Sequence, residues 1–404
     1  MPDSPAFHAP GRAAMMRADA LRQLQFFARS LRPDGRLATL THDGVPKDGP
    51  QELITTTRLV HSFALGHLAG APDCLAIVDA GMQALLMRHA DSRHGGFFWS
   101  FDADGPVQTD KLAYGHMFVL LAAASARAVG HPDADRLMAQ VEEVIAARFW
   151  EDRHGLMQDE FRRDWEPFSD YRGMNANMHG VEAHLSAYEV TGAPVFLDRA
   201  QRILRFFVGT VAPRNAWRLP EHYDGDWHPD PDYEGDPMFR PRGTTPGHSL
   251  ELGRLHLQAW DLAGRRDDDA PAAARALIDT ALADAAHPGG GLVYTLDDDG
   301  RPRVRDRYWW PVTEAIGALA SLLKLTANDA DAARYEALWQ DADRLFIDTA
   351  HGGWTPEVDE RGQPAARQFT GKPDIYHALQ ATLYPLHPGL SRHYDGVTRL
   401  LAPD

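Results

Sequence analysis

The chain has 404 residues, 44% apolar and 24% charged, with a formal net charge of −16, a composition that affords a large core and leaves no segment to be read as disordered. Its 41 basic residues against 57 acidic ones form no Lys/Arg stripe, which argues against a nucleic-acid partner. No run of 18 apolar residues marks a membrane span, the opening residues lack the apolar core of a secretory signal, and Cys74 is the only cysteine, so the expectation is a soluble cytoplasmic protein without disulfides or membrane contact.

Taken in chain order, apolar residues first recur at three- and four-residue spacing in "ADALRQLQFFARSL" (18–31), which predicts a helix. A turn-rich phrase follows, "DGRLATLTHDGVP" (Asp34–Pro46), whose short alternating run ends in Asp-Gly, a hairpin signal. Two further helical patterns come next, "QELITTTRLVHSFALGHLAG" (51–70) and "CLAIVDAGMQALLMRHA" (74–90). Cys74 lies on the apolar face of the second, where a thiol is core filler more often than nucleophile.

The phrase then returns as "HGGFFWSFDADGPV" (His94–Val107), followed by the helical "DKLAYGHMFVLLAAASARAVG" (110–130). It comes again as "HGLMQDEFRRDWEP" from His154, "NAWRLPEHYDGDWHP" from Asn215, "GGGLVYTLDDDGRP" from Gly289 and "HGGWTPEVDERGQP" from His351. The last helical pattern is "PDIYHALQATLYPLH" (373–387). One aligned position per copy gives Gly35, Gly95, Gly155, Trp217, Gly290 and Gly352, at spacings of 60, 60, 62, 73 and 62 residues.

Length alone suggests two or three domains, but a near-constant period means one repeat architecture across residues 1–404. Two helices per unit make twelve, and six helical hairpins that must each bury an apolar face close most economically into a ring. The predicted fold is therefore all-α, an (α/α)6 barrel. Each β-hairpin joins the end of an outer helix to the start of an inner one, so all six hairpins stand on one rim and wall a cup. The 73-residue spacing reflects an irregular insertion from about Pro213 to Gly247; long structureless loops of this kind often act as lids, and Arg240 near its end is placed to reach back into the cup. The acidic "LDDDG" (Leu296–Gly300) occupies a hairpin turn and is read as that turn, not as a calcium loop.

Polar and aromatic residues recur in the first two turns of the inner helices. They are Arg58, Tyr114, Asn175 with His179, His248 with Glu251, Trp310 with Glu314, and His377. Each has a bland reading when taken singly. A lone histidine on an apolar face is usually a satisfied core residue, Tyr114 and Trp310 are ordinary core aromatics, and Arg58 suits an ion pair with Glu52 or another carboxylate. Glu314 suits the first turn of a helix that begins at Pro311. Such residues on all six inner helices, at one depth on one rim, are another matter, because unpaired charge among apolar neighbours is costly; the joint pattern reads as a ligand pocket.

Three chemistries fit these residue types. Histidines facing across a cup can move a proton next to a carbonyl through an enediolate, with Arg58 and Tyr114 stabilising oxyanion charge. Glu251 and Glu314 could instead flank a glycosidic bond, which leaves the histidines idle. His248-x-x-Glu251 and His179-x-x-Glu182 have the i, i+3 spacing of carboxylate metal sites, though matching partner helices are not evident. A pure binding protein is the fourth reading, and three histidines in one pocket argue against it.

In order and spacing, "TTRLVHSFALG", "DKLAYGHMF", "NANMHGVEAHL", "FRPRGTTPGHSLELGRL", "RYWWPVTEAIGAL" and "DIYHALQA" resemble the N-acylglucosamine 2-epimerase superfamily over essentially the whole chain, and its aldose–ketose isomerase branch in particular. The resemblance implies an (α/α)6 barrel that interconverts an aldose such as D-mannose or D-lyxose with its 2-ketose, D-fructose in the case of mannose, without metal or cofactor. It implies that His248 and His377 form the acid/base pair. Arg58, Tyr114, Asn175, His179, Arg240, Glu251, Trp310 and Glu314 would hold the sugar. It leaves open which histidine moves the proton, which sugar is preferred, and whether the protein is a monomer or a homodimer. Sister enzymes of the superfamily invert C2 with the same two histidines.

Overall fold

The computed structural model describes residues 5–236 and 238–402. The first helices are α1 (Arg12–Phe27), α2 (Leu53–Ala69), α3 (Leu75–Ala84), α4 (Ala113–Ala128) and α5 (Ala134–Val144). Then come α6 (Met174–Thr191), α7 (Pro194–Phe206), the single turn α8 (Ala212–Arg214), α9 (Pro246–Leu262) and α10 (Ala270–Ala285). The chain ends with α11 (Trp309–Leu325), α12 (Asp329–Leu345), α13 (Tyr376–Leu383) and the single turn α14 (His393–Gly396).

Two kinds of helix alternate, and the sequence distinguishes them. In α5 the buried residues are Ala134, Leu137, Met138 and Val141, one stripe at the i, i+3, i+4, i+7 spacing of a helix that faces a core on one side only. In α4 burial is continuous from Gly115 to Ala126, as befits a helix with protein all round it. The helices of the second kind, α2, α4, α6, α9, α11 and α13, pack each on the next, and α13 returns to α2. The others form the outer layer. The first of them, α1, packs on α13, the last inner helix, so the chain's beginning is fastened to its end.

The rim closes by the same logic. The two residues before each inner helix pair antiparallel with the next unit's hairpin: Gln51–Glu52 with Ser100–Phe101, Lys111–Leu112 with Glu160–Phe161, and Arg172–Gly173 with His222–Tyr223. Thr244 bridges Leu296, and Arg307–Tyr308 pairs with Glu357–Val358. Lys372 bridges Leu40 and seals the circle. The repeated phrases thus serve more to join neighbouring units than to form long hairpins of their own; the first, around Asp34–Pro46, holds only the isolated bridges Leu31–Leu37 and Leu40–Pro46.

The repeat's aligned position has a conformational reason. Gly35, Gly95, Gly155, Gly290 and Gly352 all have left-handed backbones, with φ of 82°, 77°, 70°, 84° and 95°, which glycine adopts without steric cost. Trp217, the aligned residue of the fourth unit, has φ 64°, so the turn survives there without its glycine. The insertion after it carries the short strand His222–Tyr223 and is otherwise irregular. Among the described residues no helix is long and apolar enough to cross a membrane.

Candidate active site

Each inner helix starts at the rim strand, so its first turns face the cup. Pro246 opens α9, a position where its fixed φ favours helix and its missing N–H costs nothing, and this puts His248 in the first turn. Helix α11 begins at Trp309, and its N-cap residue Tyr308 makes no side-chain cap. Glu314 therefore lies in the second turn and is not the capping residue that a helix beginning at Pro311 would make of it.

Two histidine–carboxylate pairs stand there, their histidines at the two ends of the α9–α11–α13 run of inner helices. The Nδ1 of His248 lies 3.0 Å from both oxygens of Glu221, and the Nδ1 of His377 lies 2.8 Å from Oε1 of Glu314. A carboxylate on Nδ1 fixes the tautomer and leaves Nε2 as the working nitrogen. The Trp310 ring neighbours both imidazoles, its centroid 5.0 Å from His248 and 5.7 Å from His377, tilted 31° and 33°. A side chain on Gly247 would strike that ring, which accounts for a glycine next to His248.

Arg58 is anchored on the opposite side. Its guanidinium donates to Asp374 at 2.5 Å and to the Tyr114 hydroxyl at 2.8 Å, and it stacks on Phe118 and Tyr376 at 4.6 and 4.9 Å. The sequence reading allowed an ion pair with Glu52 or another carboxylate, and the partner is Asp374. The other Asp374 oxygen accepts the Tyr376 N–H at 3.0 Å, so one carboxylate tethers Arg58 and the start of α13.

Below these lies a band of buried charge. The His179 ring packs edge-on against Tyr114, 5.2 Å between centroids. Its Nδ1 lies 3.6 Å from Glu251 and 3.7 Å from Glu182, and neither it nor either Glu251 oxygen has a hydrogen-bond partner. Burial holds the His179 imidazole down to about 4, so it is neutral at pH 7. Glu251 is fully buried; burial and the neighbouring Glu314 and Glu182 push its carboxyl well above the usual range. Burial acts on Glu314 too, but Arg254, 3.3 Å away, and His377 outweigh it and hold that carboxyl low. Two groups in this band bring three ligand-type atoms within 4.8 Å: His179, Glu182 and Glu251, and Glu251, Glu314 and His377.

Of the ten residues singled out from sequence, eight thus form one chain of neighbours. It runs from Arg58 through Tyr114, His179 and Glu251 to Glu314, His377, Trp310 and His248, with Arg254 linking the two glutamates at 4.0 and 3.3 Å. Two stand apart. Asn175 sits in the first turn of α6 with its side-chain oxygen buried and without a partner. Arg240 is held at the rim, donating to Glu160 at 2.6 Å and lying 4.1 Å over the Tyr171 ring.

Sequence reasoning missed Glu221, Asp374 and Arg254. Glu221 lies in a non-periodic stretch, "LPEHY", and Asp374 at the edge of the last helical pattern, in "KPDIY"; in neither place does anything separate a carboxylate aimed at a histidine or arginine from a solvated one. Arg254 carried a usable signal, since it is three residues from Glu251 on one helix face.

The N-acylglucosamine 2-epimerase (GlcNAc 2-epimerase) family model matches residues 35–381. A D-mannose isomerase of Thermobifida fusca is 40% identical over 393 residues, 93% of this chain and 94% of the relative. One of Pseudomonas cannabina pv. alisalensis is 42% identical over 350 residues, 83% of each chain. A crystal structure of a D-mannose isomerase superposes with a TM-score of 0.87 at 29% identity, covering 95% of this chain and 99% of the other.

Proposed function

The chain belongs to the N-acylglucosamine 2-epimerase family, and within it we propose an aldose–ketose isomerase that interconverts D-mannose with D-fructose and accepts related aldoses such as D-lyxose. The observation that carries the chemistry is the pair of imidazoles beside Trp310, each with Nδ1 on a carboxylate. The relatives named D-mannose isomerase, at 40% and 42% identity, support the substrate.

In this reading a histidine Nε2 removes the C2 proton of the open-chain aldose, giving a cis-enediolate, and the proton returns to C1. The other histidine serves ring opening and the exchange of a proton between O1 and O2. Arg58 and Tyr114 carry the developing oxyanion charge. Trp310 offers an apolar face to the sugar, while Asn175, His179, Arg240, Glu251 and Glu314 fix its hydroxyls. No metal or cofactor enters the scheme. The reading takes residues 1–404 as one catalytic domain, cytoplasmic, and monomeric or homodimeric. The glycosidase alternative is disfavoured because both oxygens of Glu314 are engaged, one by His377 and one by Arg254.

The test is a time course by NMR with D-mannose in D2O and a chelator present. Fructose should appear, with deuterium at C1 in proportion to solvent access during the transfer. Glucose without fructose, labelled at C2, would make the protein a 2-epimerase. No turnover of mannose or lyxose would overturn the substrate assignment.

A further inference from the structure

We infer that His179, Glu182 and Glu251 form a site for a divalent transition-metal ion of the zinc class, and that the ion blocks the cup instead of serving it. The first ground is spacing. An ion held by nitrogen and oxygen at about 2.0–2.2 Å in tetrahedral geometry sets its ligand atoms about 3.4 Å apart. Here the His179 Nδ1 is 3.6 Å from Glu251 and 3.7 Å from Glu182, too far for hydrogen bonds and close to that edge length.

The second ground is that the atoms facing this gap lack partners. The Nδ1 of His179 and both oxygens of Glu251 are buried and make no hydrogen bond, which is costly for buried polar groups. Glu182 is held from behind: Gln380 donates to Oε1 at 2.9 Å and the Tyr376 hydroxyl to Oε2. Such hydrogen bonds orient a ligating carboxylate and leave it a free lone pair. His179-x-x-Glu182 supplies two ligands from one face of α6, and Glu251 of α9 the third.

The second candidate triad does not compete. Glu314 and His377 are bonded to each other at 2.8 Å, and Arg254 donates to Glu314 at 3.3 Å. Arg254 also lies 4.0 Å from Glu251. That cation opposes a second positive charge, and it sets the site's affinity below that of a dedicated metal centre.

Exclusion of the sugar by the ion rests on the isomerase reading of this cup, whereas the existence of the site does not. The experiment keeps them separate. Cobalt(II) chloride is titrated into the full-length protein with the visible absorption of the bound ion as readout, and mannose turnover is assayed independently with and without zinc(II). One saturable equivalent of cobalt with the intense bands of a four- or five-coordinate site is expected, displaced by zinc. The Glu182→Gln and His179→Asn variants, each checked for native circular dichroism, should weaken it at least tenfold. Zinc should inhibit turnover competitively with mannose and EDTA should restore it. Absence of a saturable band, or equal binding by both variants, overturns the site. Cobalt binding with non-competitive or absent zinc inhibition overturns the blocking role. A cobalt site in a protein inactive on mannose would condemn the isomerase reading alone.

Discussion

The two histidine–carboxylate pairs of the cup are chemically alike and structurally different. His377 stands on α13 and takes its carboxylate from α11, the neighbouring inner helix, where Arg254 of α9 supports Glu314 from below. His248 stands on α9 and takes its carboxylate from the insertion; Glu221 is set there beside the rim strand His222–Tyr223, and its Oε1 also accepts the Thr245 N–H at 3.2 Å. One pair is bolted into the barrel wall, and the other is hung from a loop. Altering the barrel pair should therefore cost folding stability, whereas altering the loop pair should leave the ring of helices intact.

The largest expected effect removes either imidazole. His248→Ala and His377→Ala should each lower kcat for mannose about 1000-fold or more, the scale of lost acid–base catalysis, with native circular dichroism. If either variant kept near-normal turnover, its histidine would have no place in the proton path. The carboxylates come next and separate the two pairs. Glu314→Gln strips the charge that balances the buried Arg254, a change of the kind that costs about 3 kcal/mol, so it should lower both kcat and Tm. Glu221→Gln should lower kcat about 10- to 100-fold while Tm stays within a degree or two, because glutamine keeps an oxygen for the Thr245 N–H and leaves no buried arginine unpaired. Equal loss of Tm in both variants would erase the distinction between wall and loop.

That difference also sorts what was legible in the sequence. Inner-helix residues could be found because a helix imposes a period: Arg58, His179, His248, Glu251, Glu314 and His377 were visible as polar exceptions in apolar patterns. The ring was legible for the same reason, down to Trp217 taking the left-handed position that glycine holds elsewhere. What supports the site was not legible. Glu221 and Asp374 act from irregular backbone, where side-chain direction follows from tertiary contacts, and the rim's habit of pairing neighbouring units is invisible to a search for hairpins. Arg240 was readable as a loop arginine near the cup, but its tie to Glu160 and Tyr171 was not.

A smaller effect, spread over the whole barrel, appears in the pH dependence of stability. Burial lowers eleven histidines, among them His61 and His89 to about 4 and His116 and His184 to about 3. In the unfolded chain these titrate near 6.5, so as pH falls below that the unfolded state takes up protons that the native state refuses. Their contribution is complete above pH 6.5 and is lost on the way to pH 4, each at up to about 1.4 kcal/mol per pH unit. Six raised carboxyls, including Asp159 and Glu189 at about 7, act the other way over part of this range. Eleven against six leaves a net loss, so the Tm should fall steadily between pH 6.5 and 4. A flat profile there would mean that the buried histidines are protonated in the native state, His179 included.

The smallest effect should come from the insertion's outer edge, and it tests how far the loop pair depends on the loop. The contacts of Arg240 are the rim residues Glu160 and Tyr171. Arg240→Ala breaks a partly exposed ion pair, worth little in stability, and removes a cation from the mouth of the cup. If Arg240 only helps to bind the sugar, KM for mannose should rise about tenfold, equivalent to about 1.4 kcal/mol, with kcat within a factor of three. If instead the rim contact holds the insertion in the register that aims Glu221 at His248, kcat should fall with it, toward the value of Glu221→Gln. The double variant then decides between them: additive losses keep binding and catalysis as separate duties of the insertion, while a double variant no worse than Glu221→Gln makes Arg240 the anchor of the loop-borne carboxylate.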